Sequence, residues 1–192
     1  MIDFHNAKYL KSVPNISYRP EKRYPEILFV GKSNVGKSSL INALTNNSSL
    51  ARVSSTPGAT KYLNYFLLDN KYYLIDAPGY GFVSDKKFTF SKMMDSIFLS
   101  KELKGVVFIL DPRHLLTTMD KVFYNMLIDK KIPFFIVLSK SDKINQKEKH
   151  AILKDIKKNF VIVLDDEIIF TSSKNKDNIK KLREKCEILL KS

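Results

Sequence analysis

The segment 31–38 reads GKSNVGKS: glycine, four residues, and then glycine, lysine and serine. This spacing is typical of a loop whose backbone N–H groups surround a phosphate. A strand-like apolar run, 26–30, precedes the loop, and residues 39–44 continue with the spacing of an amphipathic helix. Because Gly31 and Gly36 lack a Cβ, the chain can curl around the anion, and the helix start adds partial positive charge. The motif therefore predicts a phosphate-bearing ligand.

The side chains of this loop have separable roles. Lys37 is expected to reach the β- and γ-phosphates of a nucleotide, and the Ser38 hydroxyl is expected to bind Mg²⁺. The other residues expected to surround the phosphates are Gly31, Lys32, Ser33, Asn34, Val35 and Gly36. A plain glycine-rich turn is the alternative, and the flanking strand and helix argue against it.

Directly after the apolar run 72–75 comes a second loop, which starts with Asp76, Ala77, Pro78 and Gly79. Asp76 could bind Mg²⁺ through a water molecule, and the Gly79 N–H could bond to the γ-phosphate, so the loop would change shape when that phosphate leaves. Asp-x-x-Gly alone is a common turn, but its position after a strand favours a phosphate sensor. We expect this loop to extend to about Thr89.

The polar segment 46–60 has neither strand nor helix periodicity, and we expect it to be an order–disorder switch. Two of its threonines, Thr56 and Thr60, could complete the Mg²⁺ shell. We prefer Thr60, which stands just before a strand. The further nucleotide contacts expected around it are Gly58, Ala59, Lys61 and Tyr62.

A third polar group follows the apolar run 134–138 and consists of Ser139, Lys140, Ser141 and Asp142. It is a variant of the guanine-reading pattern Asn/Thr-Lys-x-Asp. The Asp142 carboxylate can accept from N1 and the 2-amino group of guanine, a donor pair that adenine lacks, and the stem of Lys140 can cover the base. GTP is therefore predicted rather than ATP. Backbone N–H groups for the guanine O6 could come from Thr171, Ser172 and Ser173.

The remaining pattern predicts an α/β fold. Two β-rich runs, 62–68 and 72–75, should form a hairpin across Asp69-Asn70. After them, apolar strands alternate with helical patterns: helices at 93–103, 118–129, 146–158 and 178–191, and strands at 105–110, 133–138 and 168–170. This order predicts a mostly parallel six-stranded sheet with helices on both faces. We expect an extended arm, 1–22, packed on a single domain, 23–192.

Composition bears on the partners of the protein, its disulfide state and its cellular location. The net charge of +13 fits a nucleic-acid partner and equally a lysine-rich proteome, since only five of the 33 basic residues are arginine. Cys186 lies in register with apolar residues of a helix, so we expect core packing and no disulfide. No apolar run is long enough to cross a bilayer, and the N-terminus lacks the order of a secretory signal. We expect a cytoplasmic protein without a membrane partner.

Taken together, the motifs resemble the EngB family of bacterial small GTPases, also called YihA or YsxC. The shared features are GKSNVGKSSLINAL, the Thr-Pro-Gly-x-Thr of 56–60, DAPGYGF, Asp111-x-Arg113 with Asp120, and Ser-Lys-x-Asp. The resemblance implies a Ras-like fold that binds GTP and Mg²⁺. It also implies association with the large ribosomal subunit and its rRNA during assembly, and a requirement in cell division and septation. The family's magnesium threonine falls on Thr60, and the residues acting on the γ-phosphate are Lys37, Thr60 and Gly79.

Two positions depart from the family pattern. Lys32 stands where arginine is usual, and Ser139 stands where threonine is usual, which removes a methyl that helps anchor the base-binding loop. Tyr80 follows Gly79 where many Ras-like enzymes carry a water-orienting glutamine. We therefore expect slow hydrolysis that depends on a partner or a cation. Asn34 could help to hold K⁺, as in similar GTPases, or could only stabilise the loop.

Other functions stay open at this point. A GTPase of a related branch, such as one serving tRNA modification, would carry further domains, whereas we expect a single domain here. A nucleotide-gated RNA- or protein-binding module would hydrolyse GTP only incidentally. An ATP-dependent kinase is disfavoured by Asp142. We expect a monomer.

Overall fold

The structure is a computed structural model that describes residues 1–53, 61–81, 86–114, 116–160 and 165–192. Within these ranges the strands are β1 (Ala7–Val13), β2 (Glu26–Gly31), β3 (Leu63–Leu68), β4 (Tyr72–Asp76), β5 (Leu103–Leu110), β6 (Phe134–Leu138) and β7 (Ile168–Phe170). The helices are α1 (Lys37–Thr45), α2 (Lys86–Phe98), α3 (Thr118–Asp129), α4 (Gln146–Asn159) and α5 (Ile179–Lys191). Short 3₁₀ turns lie at Ile16–Tyr18, Ser141–Lys143 and Asp165–Glu167.

The strands form one sheet in the order β1-β3-β4-β2-β5-β6-β7. From β4 to β7 the pairs are parallel, whereas β1 and β3 are antiparallel to their neighbours. The predicted α/β class and mostly parallel sheet are confirmed, but the prediction of six strands is wrong by one. The extra strand, β1, lies within the predicted arm. Its residues are mostly exposed, so no apolar alternation marks it, and it is formed by pairing with β3.

Helices cover both faces of the sheet, as predicted. Alternate residues of β2 point to opposite faces, with Leu28 and Val30 in one core cluster and Ile27 and Phe29 in the other. The first cluster also takes residues of α2, α3 and α4, and the second takes residues of α1 and α5. Cys186 is fully buried in the second cluster, which confirms the predicted core role.

The predicted hairpin is confirmed. Asp69 and Asn70 both have positive φ, 48° and 57°, the conformation that a two-residue hairpin turn requires. The predicted helix 93–103 was wrong at both ends, because α2 covers Lys86–Phe98. The second predicted loop is accordingly shorter than the expected Asp76–Thr89. Leu103 cannot extend the helix because it pairs with Glu26 as the first residue of β5.

The parallel strands give the sheet two different ends. At the carboxyl edge, where β2, β4, β5, β6 and β7 finish, lie the loops that carry the motifs at 31–38, 76–79, 139–142 and 171–173. At the amino edge, the segment 14–25 is bonded to β4, because Tyr73 donates its N–H to the Pro25 carbonyl at 2.9 Å and its hydroxyl to the Lys22 carbonyl at 3.2 Å. No helix in the described ranges combines the length and apolar character needed to span a membrane.

Candidate functional site

The glycine-rich loop joins β2 to α1 in the strand, loop, helix order predicted. Gly36 precedes the helix with a φ of 105°, a backbone conformation that residues other than glycine rarely adopt. Asn34 also has positive φ, 63°. Positive φ at two residues of one short loop can turn backbone N–H groups toward one centre at the start of α1. The loop is thus shaped to bind an anion.

Two buried residues of opposite charge lie at this loop, Lys37 and Asp76, which are 7% and 1% exposed. The Ser38 hydroxyl donates to Asp76 Oδ2 at 2.8 Å. Burial lowers the pKa of Lys37, an effect that Asp76 opposes. Burial raises the pKa of Asp76, against the effects of Lys37 and Ser38. Asp76 Oδ1 is buried and has no hydrogen-bond partner in the described part of the chain. A desolvated carboxylate oxygen of this kind calls for a cationic or donor ligand.

Gly79 packs directly on the glycine-rich loop. A Cβ at this position would lie 2.6 Å from Ser33 Cα and 2.7 Å from Ser33 N, so no larger residue fits without backbone movement. The next residue is tied to the same loop, because the Ser33 N–H donates to the Tyr80 carbonyl at 3.1 Å. The two motifs that were separated in sequence by 45 residues therefore form one continuous surface.

The Ser139–Asp142 group is tied to the glycine-rich loop by two side chains. The buried Ser139 hydroxyl lies 2.7 Å from the Val35 carbonyl and 3.2 Å from that of Leu110. Lys140 Nζ donates to the Asn34 carbonyl at 2.8 Å. The Ser139 hydroxyl thus makes the link between loops without the methyl group that threonine would add. Lys32, the other departure from the family pattern, is exposed.

Asp142 borders a pocket of about 650 Å³ beside α1. Ser172 donates to Asp142 Oδ1 at 2.7 Å, and this bond lowers the pKa of Asp142, so the carboxylate is charged and oriented at neutral pH. Polar and basic residues supply much of the lining, including Ser39, Asn42, Ser139, Lys140, Lys143, Ser173, Lys174 and Lys176. The volume is in the range of small-molecule sites.

The three residues after β7, Thr171 to Ser173, differ in the groups that they leave available to a nucleotide base. The Thr171 N–H is already bonded to the Leu138 carbonyl at 2.8 Å, within the β6–β7 pairing. Ser172 positions Asp142, while Ser173 lines the pocket. Ser173 is therefore the member of the triplet best placed for the predicted contact with a base.

Asp111 was not assigned a role from the residues alone. It follows β5 and accepts from Arg113 Nε and Nη2 at 2.9 and 2.6 Å, and from Lys140 Nζ at 3.1 Å. Although its partial burial acts in the opposite direction, these bonds hold the pKa of Asp111 below its usual range. Its position directly after a strand at the carboxyl edge was the signal that could have identified it.

Part of the predicted site lies outside the described residues: Thr56, Gly58, Ala59 and Thr60. Lys61 and Tyr62, which follow them, are exposed. Among the residues that are described, no three His, Cys, Asp or Glu side chains form a cluster able to hold a metal. The predicted metal ligands, Ser38 and Thr60, do not require such a cluster.

Comparisons with known proteins bear on this site. A family model described as "50S ribosome-binding GTPase" matches residues 26–140. A Mycoplasma mycoides subsp. mycoides protein named "Probable GTP-binding protein EngB" is 41% identical over 191 residues, covering 97% of each chain. A protein of the same name from Petrotoga mobilis is 37% identical over 182 residues, covering 93% of this chain and 92% of its own length.

Two solved structures resemble the fold. The crystal structure of a probable GTP-binding protein engB aligns with a TM-score of 0.67 and 26% identity, covering 86% of this chain and 98% of that one. Era in complex with MgGDPNP and nucleotides 1506–1542 of 16S ribosomal RNA aligns with a TM-score of 0.67 and 24% identity, covering 88% of this chain and 57% of that one. The predicted Ras-like GTPase fold is thereby confirmed. With the family match across more than half of the chain and 41% identity across nearly all of it, the chain belongs to the EngB family of GTP-binding proteins.

Proposed function

We propose that this protein is a Mg²⁺-dependent GTP switch with slow intrinsic hydrolysis that acts in assembly of the large ribosomal subunit. The observation that carries the switch is the linkage of base and phosphate sites. Lys140 and Ser139 bond to the backbone of the glycine-rich loop, and Gly79 packs on Ser33 of the same loop. One nucleotide can therefore contact all three segments. The positions of these loops then depend on which base and how many phosphates are bound.

For the base, Asp142 is proposed to accept from guanine N1 and the 2-amino group, with Lys140 covering the ring. Ser172 holds the carboxylate by one oxygen, and the charged state keeps Asp142 an acceptor only. Adenine would present no matching donor pair and would leave the carboxylate unpaired. GTP and GDP are thus favoured over adenine nucleotides.

For the phosphates, Lys37 is proposed to contact the β- and γ-groups and Gly79 to donate its N–H to the γ-phosphate. The residues present fit Mg²⁺, because Ser38 offers a hydroxyl and Asp76 Oδ1 is a buried oxygen without a partner in the described part. Thr60 is the proposed second protein ligand. When bound, the ion would neutralise charge that develops on the phosphates. Lys37 and the loop N–H groups would orient the γ-phosphate for attack by water.

Hydrolysis to GDP and phosphate is proposed to be slow because Tyr80, which directly follows Gly79, is not placed to orient that water. Tyr80 is 3% exposed, and its hydroxyl bonds elsewhere, to Asp120. A K⁺ ion near Asn34 is proposed to help, and replacing K⁺ by Na⁺ should then slow turnover. The same observation favours a second candidate, a nucleotide-gated RNA- or protein-binding module whose hydrolysis is incidental. Two results together would support that candidate: GTP turnover near the uncatalysed rate, and full binding of the partner when the protein is loaded with a non-hydrolysable GTP analogue.

The ribosomal assignment has two supports. The matched family is described as ribosome-binding, and the net charge of +13 favours contact with rRNA phosphates. We propose that the protein acts as a monomer in the cytoplasm, and that its requirement in cell division and septation follows from this role in assembly.

Co-sedimentation with purified large subunits tests this proposal. The protein should bind most tightly with a GTP analogue, about 5- to 150-fold better than with GDP, because the γ-phosphate orders the loops. Binding should also fall as salt rises. A GDP-loaded sample and small subunits serve as controls. Equal binding in every nucleotide state, or no binding to subunits or their assembly intermediates at any salt, would contradict the ribosomal proposal.

A further inference from the structure

The residue after Gly79 is held from two directions. Its backbone carbonyl accepts from Ser33 in the glycine-rich loop, and its side chain reaches the opposite way, into the core beside α3. There the Tyr80 ring stacks on Phe123 at 5.9 Å and meets the edge of Phe90 at 5.8 Å. The ring is therefore packed away from the phosphate loop rather than over it.

At the end of this ring lies a buried hydrogen bond. The Tyr80 hydroxyl donates to Asp120 Oδ1 at 2.6 Å, and Asp120 is only 5% exposed. The second oxygen, Asp120 Oδ2, accepts from the Thr117 N–H at 2.6 Å and from the Thr117 hydroxyl at 2.7 Å. Both oxygens are thus engaged, one by the residue after Gly79 and the other by the cap of α3.

We propose that Tyr80 and Asp120 are positioning residues for γ-phosphate recognition. Their hydrogen bond fixes the segment 79–80 to α3, and this holds Gly79 against the glycine-rich loop where its N–H can meet the γ-phosphate. Without the bond, the segment would sample other positions, and a triphosphate would have to order it on binding. A diphosphate makes no contact with Gly79 and would be unaffected. The inference rests on the proposed contact of Gly79 with the γ-phosphate.

Tyr80→Phe tests the bond with little disturbance, because it removes only the hydroxyl and keeps the packed ring. We expect the affinity for a fluorescent non-hydrolysable GTP analogue to fall about 5- to 20-fold, with GDP affinity changed less than twofold. Asp120→Ala should give a similar loss. The double variant should lose no more than the larger of the two single losses, because both remove the same interaction.

Two further variants separate the possible failures. Thr117→Val removes the hydroxyl of the α3 cap but leaves the Tyr80–Asp120 bond, so it should lower the melting temperature without changing the ratio of the two affinities. Gly79→Ala should lose triphosphate binding because a Cβ collides with Ser33. An unchanged ratio in Gly79→Ala would overturn the proposed sensor and this inference with it. If Gly79→Ala loses triphosphate binding as expected while folded Tyr80→Phe keeps the wild-type ratio of GTP-analogue to GDP affinity, only the role of the hydrogen bond is overturned.

Discussion

The two edges of the sheet each bury a carboxyl group that has one oxygen without a hydrogen-bond partner in the described ranges, but the surroundings of the two groups differ. At the carboxyl edge, the buried Lys37 favours the charged form of Asp76, which also accepts from Ser38. At the amino edge, Glu26 is 1% exposed, and burial is the main cause that raises its pKa to about 7. No partner for Glu26 Oε2 is found among the described residues.

The surroundings of Glu26 explain its raised pKa. The nearby Arg19, which is engaged by Ser100 and Glu102 at 2.7 and 3.1 Å, lowers the pKa of Glu26 by less than burial raises it. Tyr65, whose hydroxyl is also buried without a partner in the described part, has its pKa raised by burial and then by Glu26. A carboxyl in such a place is accommodated by keeping its proton.

The comparison teaches that an unpartnered buried oxygen does not by itself indicate a ligand site. At Asp76, the oxygen has a buried cation, a hydroxyl and an anion-binding loop beside it, so ligand binding can satisfy it. At Glu26, the raised pKa lets the carboxyl keep its proton below about pH 7, which removes the buried charge without a ligand. The following predictions test this difference and the site that it defines.

Asp142→Asn should have the largest effect. An amide can donate to the 2-oxo group of xanthine but cannot accept from both guanine donors, so discrimination for guanine should change by about 10⁴-fold. Competition among GTP, XTP and ATP measures it. Asp166→Asn, at an exposed aspartate that bonds to Lys185, is the matched control. Retained guanine preference in Asp142→Asn would show that the base is read elsewhere.

Lys37→Ala should lower nucleotide affinity by about 2–5 kcal/mol, because it removes a phosphate contact and leaves Asp76 without its buried cation. Titration with fluorescent GDP measures the loss, and Lys71→Ala, at an exposed lysine, is the control.

Ser38→Ala should have a smaller effect that disappears when Mg²⁺ is chelated. If chelation leaves triphosphate affinity in the wild type unchanged, the metal assigned to Ser38 and Thr60 is absent.

Glu26→Gln should change the pH dependence of folding rather than nucleotide binding. The folded pKa of about 7 exceeds the unfolded value of 4.5, so the contribution of Glu26 to stability is complete below about pH 4.5 and is lost as the pH rises through 7. A shift of this size corresponds to roughly 3 kcal/mol. Urea unfolding from pH 5 to 8 should show the variant gaining stability over wild type as the pH rises. Parallel profiles would contradict a protonated Glu26; Glu184→Gln, at an exposed position, is the control.

Asp111→Asn should have the smallest effect, a loss of about 5- to 10-fold in GDP affinity, equal to about 1 kcal/mol. The amide keeps the shape but weakens the bonds that place Lys140 and Arg113. Asp95→Asn, which weakens the salt bridge with Lys130 on the protein surface, should leave affinity unchanged. Equal affinity in Asp111→Asn and wild type would mean that Lys140 is held by the Asn34 carbonyl alone.

Much of the fold was predictable because its signals are local. The helix at 118–129 and the strand at 168–170 have the predicted bounds, and the hairpin turn follows from two residues that tolerate positive φ. Strand β1 was missed because an exposed edge strand has no apolar alternation to read. The start of α2 was missed because residues 86–92 lack a clear helical period.

The sequence by itself determined the ligand class and the family, because a phosphate loop and a base-reading group need fixed residue types at fixed short spacings. Only the tertiary structure decided how distant residues cooperate. Asp111 with Lys140, Ser172 with Asp142, and Tyr80 with Asp120 are pairs 29 to 40 residues apart that meet through the packing of strands and helices. Several of these residues belong to motifs, but no local pattern shows which distant residues meet, so the pairing arises from the fold that brings them together.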